Sequence, residues 1–313
     1  MDSIIGSPPD DSLGPTINII AWMGAGVSTV FVILRLYSRL FITRAPDWDD
    51  VVIAIATIIN IITIALCSMA ISYGLGRHIQ YLSDDDLVNC LYYSAIQRAP
   101  GILSFTLPKL SVVIFLSKLM GNMKRGRWFL YSVITILFIT SLMGIVIFLA
   151  QCRPMDHLWH PLSPADCVSA TVLDAISYLC GSWSAFTDIV LASFPIYLLW
   201  NLQMKPSKKI STMIVMALGF IAAIAAIAKT TQLSKNRATD ATWEPFWLFI
   251  SSYIESDLVI IAACAPTLPK LIKRILGKET DESAGPGYHF NKPTSQDYHP
   301  FDSQRNFILM NPV

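Results

Sequence analysis

Long apolar runs separated by short polar stretches dominate the chain. Seven of them qualify as membrane-crossing helices: residues 17–34, 51–73, 90–117, 128–150, 173–200, 210–233 and 246–268. A helix needs about 20 mainly apolar residues to cross roughly 30 Å of hydrocarbon. Strands are disfavoured because the runs are long and an open sheet in lipid leaves its edge N–H and C=O groups unpaired. The stretches between runs carry turn residues, among them Gly74-Leu75-Gly76, Gly121-Asn122 and the pair Pro161 and Pro164. The pattern predicts an all-α membrane protein, a seven-helix bundle.

Composition narrows the class. Of the 313 residues, 53% are hydrophobic and only 14% are charged, against roughly a quarter charged in soluble proteins. Too few charges are present to cover a soluble shell, so a nucleic-acid binder, a secreted mini-protein and a disordered chain are excluded. The placement of Lys and Arg sets an expected orientation. Arg35, Arg39 and Arg44 follow the first run; Lys118, Lys124, Arg125 and Arg127 follow the third; Lys205, Lys208 and Lys209 follow the fifth; and Lys270, Lys273 and Arg274 follow the last. The alternate loops are poor in basic residues and residues 1–16 have none. The expectation is a short extracellular N-terminus (1–16), a seven-helix transmembrane domain (17–276) and a disordered cytoplasmic tail (277–313) rich in polar residues. No cleavable signal is visible before the first span, which then acts as its own insertion signal. The expected location is a multi-pass position in the plasma membrane or an endomembrane.

Six cysteines are too few for a disulfide scaffold. Cys90, Cys152 and Cys167 fall at the outer surface of this topology, where one disulfide is expected. Either Cys152 and Cys167 close their own loop or one of them reaches Cys90, and sequence does not choose between these. Cys67, Cys180 and Cys264 lie inside spans and read as small apolar packing residues. His157 and His160, beside Asp156 and Asp166, have no recognised metal spacing and read as a solvated loop, so no metal is expected. Asp84-Asp85-Asp86 has the chemistry either to hold Mg²⁺ with a diphosphate or to cap the third helix at its N-terminus, the second being the stronger reading.

Ionisable side chains inside spans cost about 2.5–3.5 kcal/mol each on insertion scales and are candidates for function. Arg98, Lys229, Glu255 and Asp257 fall in the outer half and are the ligand-binding candidates, expected to form one ionic cluster with Arg98 facing Glu255. Lys109 and Asp188 fall deeper and are expected to form a separate intramembrane ion pair. Pro100, Pro108, Pro195 and Pro266 lie within spans, where they bend helices and open cavities.

Short pieces in order carry a resemblance. They are Arg35-Leu-Tyr-Ser-Arg39 with Trp48-Asp-Asp50, then Leu107-Pro-Lys-Leu-Ser111, then Cys152-Arg-Pro with Trp159 and Cys167. Asp188, Pro195 and Leu199-Trp-Asn-Leu-Gln203 follow, then Leu218-Gly-Phe220 leading to Lys229, and finally Glu255-Ser-Asp with Cys264-Ala-Pro266. Over roughly residues 20–275 the chain resembles the fungal rhodopsin-like seven-transmembrane family, which includes appressorium-receptor-like receptors and satratoxin-cluster membrane proteins. Where the family often has Arg at the end of the sixth span, Lys229 keeps the charge and loses the planar fork. The resemblance does not imply retinal, because the last span has no lysine for a Schiff base. No cofactor is expected.

Two functions follow as expectations. One is a receptor-like protein that binds a small lipophilic ligand in the outer half of the bundle and meets a cytoplasmic signalling protein through its basic loops. The other is a membrane-embedded enzyme of the cyclase or isomerase type, or an accessory protein, in a secondary-metabolite pathway. There Glu255, Asp257 or Asp188 would donate a proton to a pathway intermediate or stabilise a carbocation formed from it. Membrane lipid is a partner in either case, and nucleic acid in neither.

Overall fold

The computed structural model describes residues 10–44, 46–120, 123–161, 163–200, 206–232 and 242–267. Among them are eight α-helices: α1 (Gly14–Tyr37), α2 (Trp48–Ser72), α3 (Asp84–Ile96), α4 (Arg98–Leu119), α5 (Lys124–Ala150), α6 (Ala170–Trp200), α7 (Pro206–Gln232) and α8 (Phe246–Cys264). A two-stranded ribbon, β1 (Cys152–Arg153) with β2 (Asp166–Cys167), joins α5 to α6. The expected tail at 277–313 lies outside the described residues.

Local chemistry sets the helix ends. Pro15 occupies the first turn of α1, where its missing N–H is no loss. Beyond Tyr37 the helix widens into a π-helical turn, Ser38–Thr43, and stops at Arg44, whose φ of +48° is left-handed. A capping box starts α2. The Trp48 N–H donates to Asp47 Oδ1 at 2.7 Å, and the Asp47 N–H donates to Asp50 Oδ2 at 3.1 Å. After α2 the chain turns through Gly74 (φ +106°) and Gly76 (φ +87°), conformations that glycine adopts without strain. This turn holds the start of α1 through Leu13 N–H to Gly76 O (2.8 Å) and reaches the approach to α8 through Gly76 N–H to Thr242 O (2.9 Å). Arg77 beside it grips Asp10, and that hydrogen bond holds the Asp10 carboxyl below the usual aspartate range. Ser83 caps α3, with Asp84, Asp85 and Asp86 in the first turn where negative charge is favoured.

The third predicted span is two helices in one rod. Pro100 has no N–H for the carbonyl of Ile96, so regular geometry lapses at Gln97. The Gln97 N–H bonds Tyr93 O (3.0 Å) and the Gly101 N–H bonds Gln97 O (2.9 Å), which carries the rod past the break. The stretch Asp84–Lys118 is one of six described helical stretches long and apolar enough to cross a membrane. In α7 the described apolar stretch is the shorter Ala217–Thr231.

The helices close a ring. α1 packs on α2 and α8, α2 on α3 and α4, α5 on α4 and α6, and α7 on α6 and α8; α4 also crosses to α6 and α8. Small residues allow the close approach of α6 and α7. A Cβ added at Gly219 would sit 2.8 Å from the Ala192 Cβ, and one at Gly181 would sit 2.6 Å from Thr230 Oγ1. In lipid, where apolar surfaces gain little by pairing, such tight packing is a main source of helix association. The polarity is inside out: Asn60, Lys109 and Glu255 are buried while Ile19, Ile58, Ile139 and Ile224 face outward. Two apolar clusters fill the interior. One, with Ile17, Ala21, Cys90 and Ile250, lies toward the disulfide end; the other, with Val113, Leu130, Leu191 and Ile260, lies toward the basic-loop end. Charged residues occupy the layer between them.

Candidate ligand site

Four helices meet on one ionic cluster. Lys109 of α4 places its Nζ 2.9 Å from Asp188 Oδ2 on α6 and 2.9 Å from Glu255 Oε1 on α8, and 2.8 Å from Ser184 Oγ. Ser184 Oγ donates in turn to Glu255 Oε1 at 3.0 Å. Lys229 of α7 closes the set by pairing with Glu255 Oε2 and lies 3.8 Å from the centroid of the Phe105 ring. Two ammonium groups thus face two carboxylates, and the polar atoms that water would otherwise solvate are matched inside the protein. Removing both partners of such a pair is mild, whereas removing one leaves a stranded charge.

The sequence had separated this group differently. Lys109 and Asp188 were expected as one pair and Arg98 with Glu255 as another. The structure joins Glu255 and Lys229 to Lys109 and Asp188 instead, because Glu255 on α8 faces Lys109 across the α4–α8 contact. Arg98 stands apart, its guanidinium over the Phe148 ring at 4.4 Å. Asp257 is also separate. Two residues beyond Glu255, it points to the other side of α8, where it accepts from Ser28 Oγ (2.8 Å) and Asn60 Nδ2 (3.0 Å). Ser256 lies between them and donates to Ser104 O at 3.0 Å.

A cavity of about 460 Å³ opens beside the ionic cluster toward the disulfide end. Among the ligand-binding candidates Arg98 and Lys229 line it, while Glu255 stands behind Lys229 and Asp257 does not reach it. Its wall alternates apolar groups, such as Phe105, Leu137 and Phe249, with Ser94, Gln97 and Ser177. Its size falls in the range of small-molecule sites, roughly 300–1,000 Å³, and a few polar groups in an apolar wall is the usual composition of such sites.

A second ionic centre at the basic-loop end was not foreseen. Arg35 is fully buried and donates through Nε to Asp50 Oδ1 (2.8 Å), through Nη2 to Asp49 Oδ2 and through Nη1 to the Ala263 carbonyl. Arg39 adds longer contacts to both aspartates at 3.5 and 3.6 Å. Lys118 bridges Asp47 and Asp49, and Ser111 Oγ donates to Asp49 O at 2.9 Å. The Lys118 hydrogen bond, helped by the Trp48 N–H, holds the Asp47 carboxyl below the ordinary aspartate range. In the sequence Arg35 and Arg39 serve as orientation signals and, with Trp48-Asp-Asp50, as part of the family resemblance, with no ion pair expected of them. Their spacing of one helical turn, opposite an acidic pair opening the next span, was the available clue to a network joining α1, α2, α4 and α8.

Cys152 and Cys167 are disulfide-bonded across paired positions of the ribbon, and Cys90, the third candidate, is a free and buried thiol. Cys90 lies inside the α1–α2–α3–α8 packing, out of the ribbon's reach. Trp159 in the same loop packs edge-to-face on Tyr92 at 5.4 Å, so the loop is pinned to α3 without a covalent link. His157 lies near the two sulfurs, but a disulfide offers no thiolate to a metal.

The fungal rhodopsin domain family matches residues 34–274. A SAT4 family membrane protein of Emericella nidulans is 24% identical over 243 residues, a match covering 76% of this chain and 57% of the relative. The chain therefore spans little more than half the length of that relative. No solved structure matches. The family match and the apolar helices together make this a multi-pass membrane protein, and the chain belongs to the fungal rhodopsin domain family.

Proposed function

We propose that the protein is a receptor-like membrane protein of seven spans, N-terminus outside and C-terminus cytoplasmic, that binds a small lipophilic molecule without retinal. The observation that carries this reading is the cavity at the disulfide end, whose wall includes Lys229 of the ionic cluster. A ligand that competes for Lys229 changes the pairing of Glu255 and Lys109, and so biases the packing of four helices at once. That is a differential interaction of the kind a conformational response requires. The helices α4 and α8 lead from this cluster to the second ionic centre and the basic loops, the surface assigned to a cytoplasmic signalling protein. Membrane lipid surrounds the outward apolar faces. The reading without retinal rests on α8, which has no lysine.

The alternative, an enzyme or accessory protein of a secondary-metabolite pathway, draws less support from the geometry. Its acid candidates Asp188 and Glu255 are held by lysines, and Asp257 lies away from the cavity wall. One genetic experiment tests both. A deletion strain complemented with Arg98→Ala or Glu255→Gln should lose the transcriptional response that the wild-type gene restores, with the protein still at the membrane. A normal response in both variants removes the site. A deletion strain that accumulates one metabolic precursor favours the enzyme instead.

A further inference from the structure

One cation on the cavity wall, Arg98, has no carboxylate partner among the described residues, and that describes the ligand. Lys109 and Lys229 are matched by Asp188 and Glu255. The contact of the Arg98 guanidinium is the face of Phe148. Stacking on a ring leaves the in-plane N–H donors of a guanidinium available. Two further polar atoms lie on the same wall. Gln97 Nε2 and Ser94 Oγ are buried without a nitrogen or oxygen partner among the described residues, their side chains lying beside the weakly bonding thiols of Cys67 and Cys90, and Gln97 is 2% exposed. Its Oε1 is taken by the Tyr253 hydroxyl at 3.2 Å, which orients the amide. Ser94, Gln97 and Arg98 lie within about one turn of the same rod. Asp174, the carboxylate on the described wall, lies one turn into α6 from the disulfide end and has an interaction of its own.

We propose that the cavity binds an amphipathic organic monoacid, its carboxylate on Arg98 with Gln97 and Ser94 as neighbouring donors and its apolar body against Phe105, Leu137 and Phe249. This rests on the small-molecule-binding reading above and names the class of molecule. A planar carboxylate matches a guanidinium fork with two parallel hydrogen bonds. A single charge is selected because one cation is unmatched. A phosphate monoester would bring a second negative charge toward Glu255, and an amine would leave Arg98 facing another cation. A neutral alcohol would fill the apolar space and leave the fork unsatisfied, which a site built for hydrogen bonding penalises.

The test uses the full chain in lipid nanodiscs, with decanoate, decanol, decylammonium and decyl phosphate as matched probes and benzoate as a water-soluble acid. Binding is read as saturable displacement of radiolabelled decanoate and as a shift in unfolding temperature. Decanoate should bind at least about tenfold more tightly than decanol, a factor that corresponds to about 1.4 kcal/mol. Arg98→Gln should abolish that preference, while Arg98→Lys should keep acid over alcohol with weaker binding. The comparison among probes needs no variant to fold. Benzoate competing with decanoate points to a soluble acid as the natural ligand, and decanoate alone points to a membrane-borne one; both support the proposal. Decanol binding as tightly as decanoate, or decyl phosphate binding more tightly, overturns the monoacid while leaving a small-molecule site in place. No saturable binding of any probe overturns the proposal and the binding reading together.

Discussion

Within the bundle the decisive residues are polar ones whose partners lie on other helices. Lys109 makes the point most directly. Its ammonium holds Asp188, Glu255 and Ser184, so the substitution Lys109→Met leaves two carboxylates to share Lys229. Stranding a buried charge in this way costs about 3–5 kcal/mol. The double change Lys109→Met with Asp188→Leu should be milder, because one cation and one anion leave together. Thermal unfolding in nanodiscs measures both, and equal losses would mean that pairing is not what Lys109 contributes. Gly24 is a residue-scale case of a different kind. A Cβ there would overlap Asp257 Oδ2, whereas a Cβ at Gly26 meets nothing within 4 Å. Gly24→Ala should therefore destabilise by about 1–3 kcal/mol, as overpacking does. Gly26→Ala should be neutral or slightly favourable, since alanine is the better helix former. The same unfolding assay separates them, and equal effects would remove Asp257 as the cause.

Helix ends and helix joints are where single residues become elements. The start of α2 combines a capping box with the Lys118 bridge, both using Asp47. Because the folded state lowers the Asp47 pKa, its contribution is present above the ordinary aspartate range. It is lost as pH falls through the lowered value, where the carboxylate is protonated. In Asp47→Asn that part of the acid dependence should disappear, leaving a flatter unfolding-temperature profile on the acid side and little change at neutral pH beyond a weaker cap. An unchanged acid profile would show that Asp47 is not the titrating group. The joint between α3 and α4 shows the opposite logic. There Pro100 removes one backbone bond, and the helix direction survives because Gln97 and Gly101 resume the ladder. Ser94, Gln97 and Arg98, at and beside the break, line the cavity wall.

On the scale of the whole molecule, two ionic centres tie the helices at two depths and the disulfide ribbon closes one end. The proposed orientation places that ribbon outside and the basic loops in the cytoplasm. A cysteine at Asp11 should then react with a membrane-impermeant maleimide on intact cells. One at Arg125 should react only after permeabilisation, since both positions are exposed. The native background is low once the half-buried Cys180 is replaced by Ser, because Cys152 and Cys167 are bonded and Cys67, Cys90 and Cys264 are buried. Labelling in the reverse order would invert the topology and move the cavity to the cytoplasmic side.

The order of apolar runs by itself determined the helical membrane class, because the bilayer requires internally bonded spans about 20 residues long. It also pointed to the chemistry-bearing residues, since ionisable side chains inside spans are rare enough to stand out. Partnership was not legible. Glu255 and Asp257 are two positions apart, yet a helical turn of 3.6 residues sends them to opposite sides of α8. Glu255 meets Lys109 and Lys229, and Asp257 meets Ser28 and Asn60. Likewise Cys90 looked equal to Cys152 and Cys167 until the ribbon placed two sulfurs together and the core enclosed the third. Arg35 looked like a loop charge until Asp49, Asp50 and Ala263 surrounded it. Periodicity and hydropathy are properties of one segment with respect to its solvent. Which charge neutralises which, and which is left facing a cavity, depends on the packing of several helices and was decided by the tertiary structure.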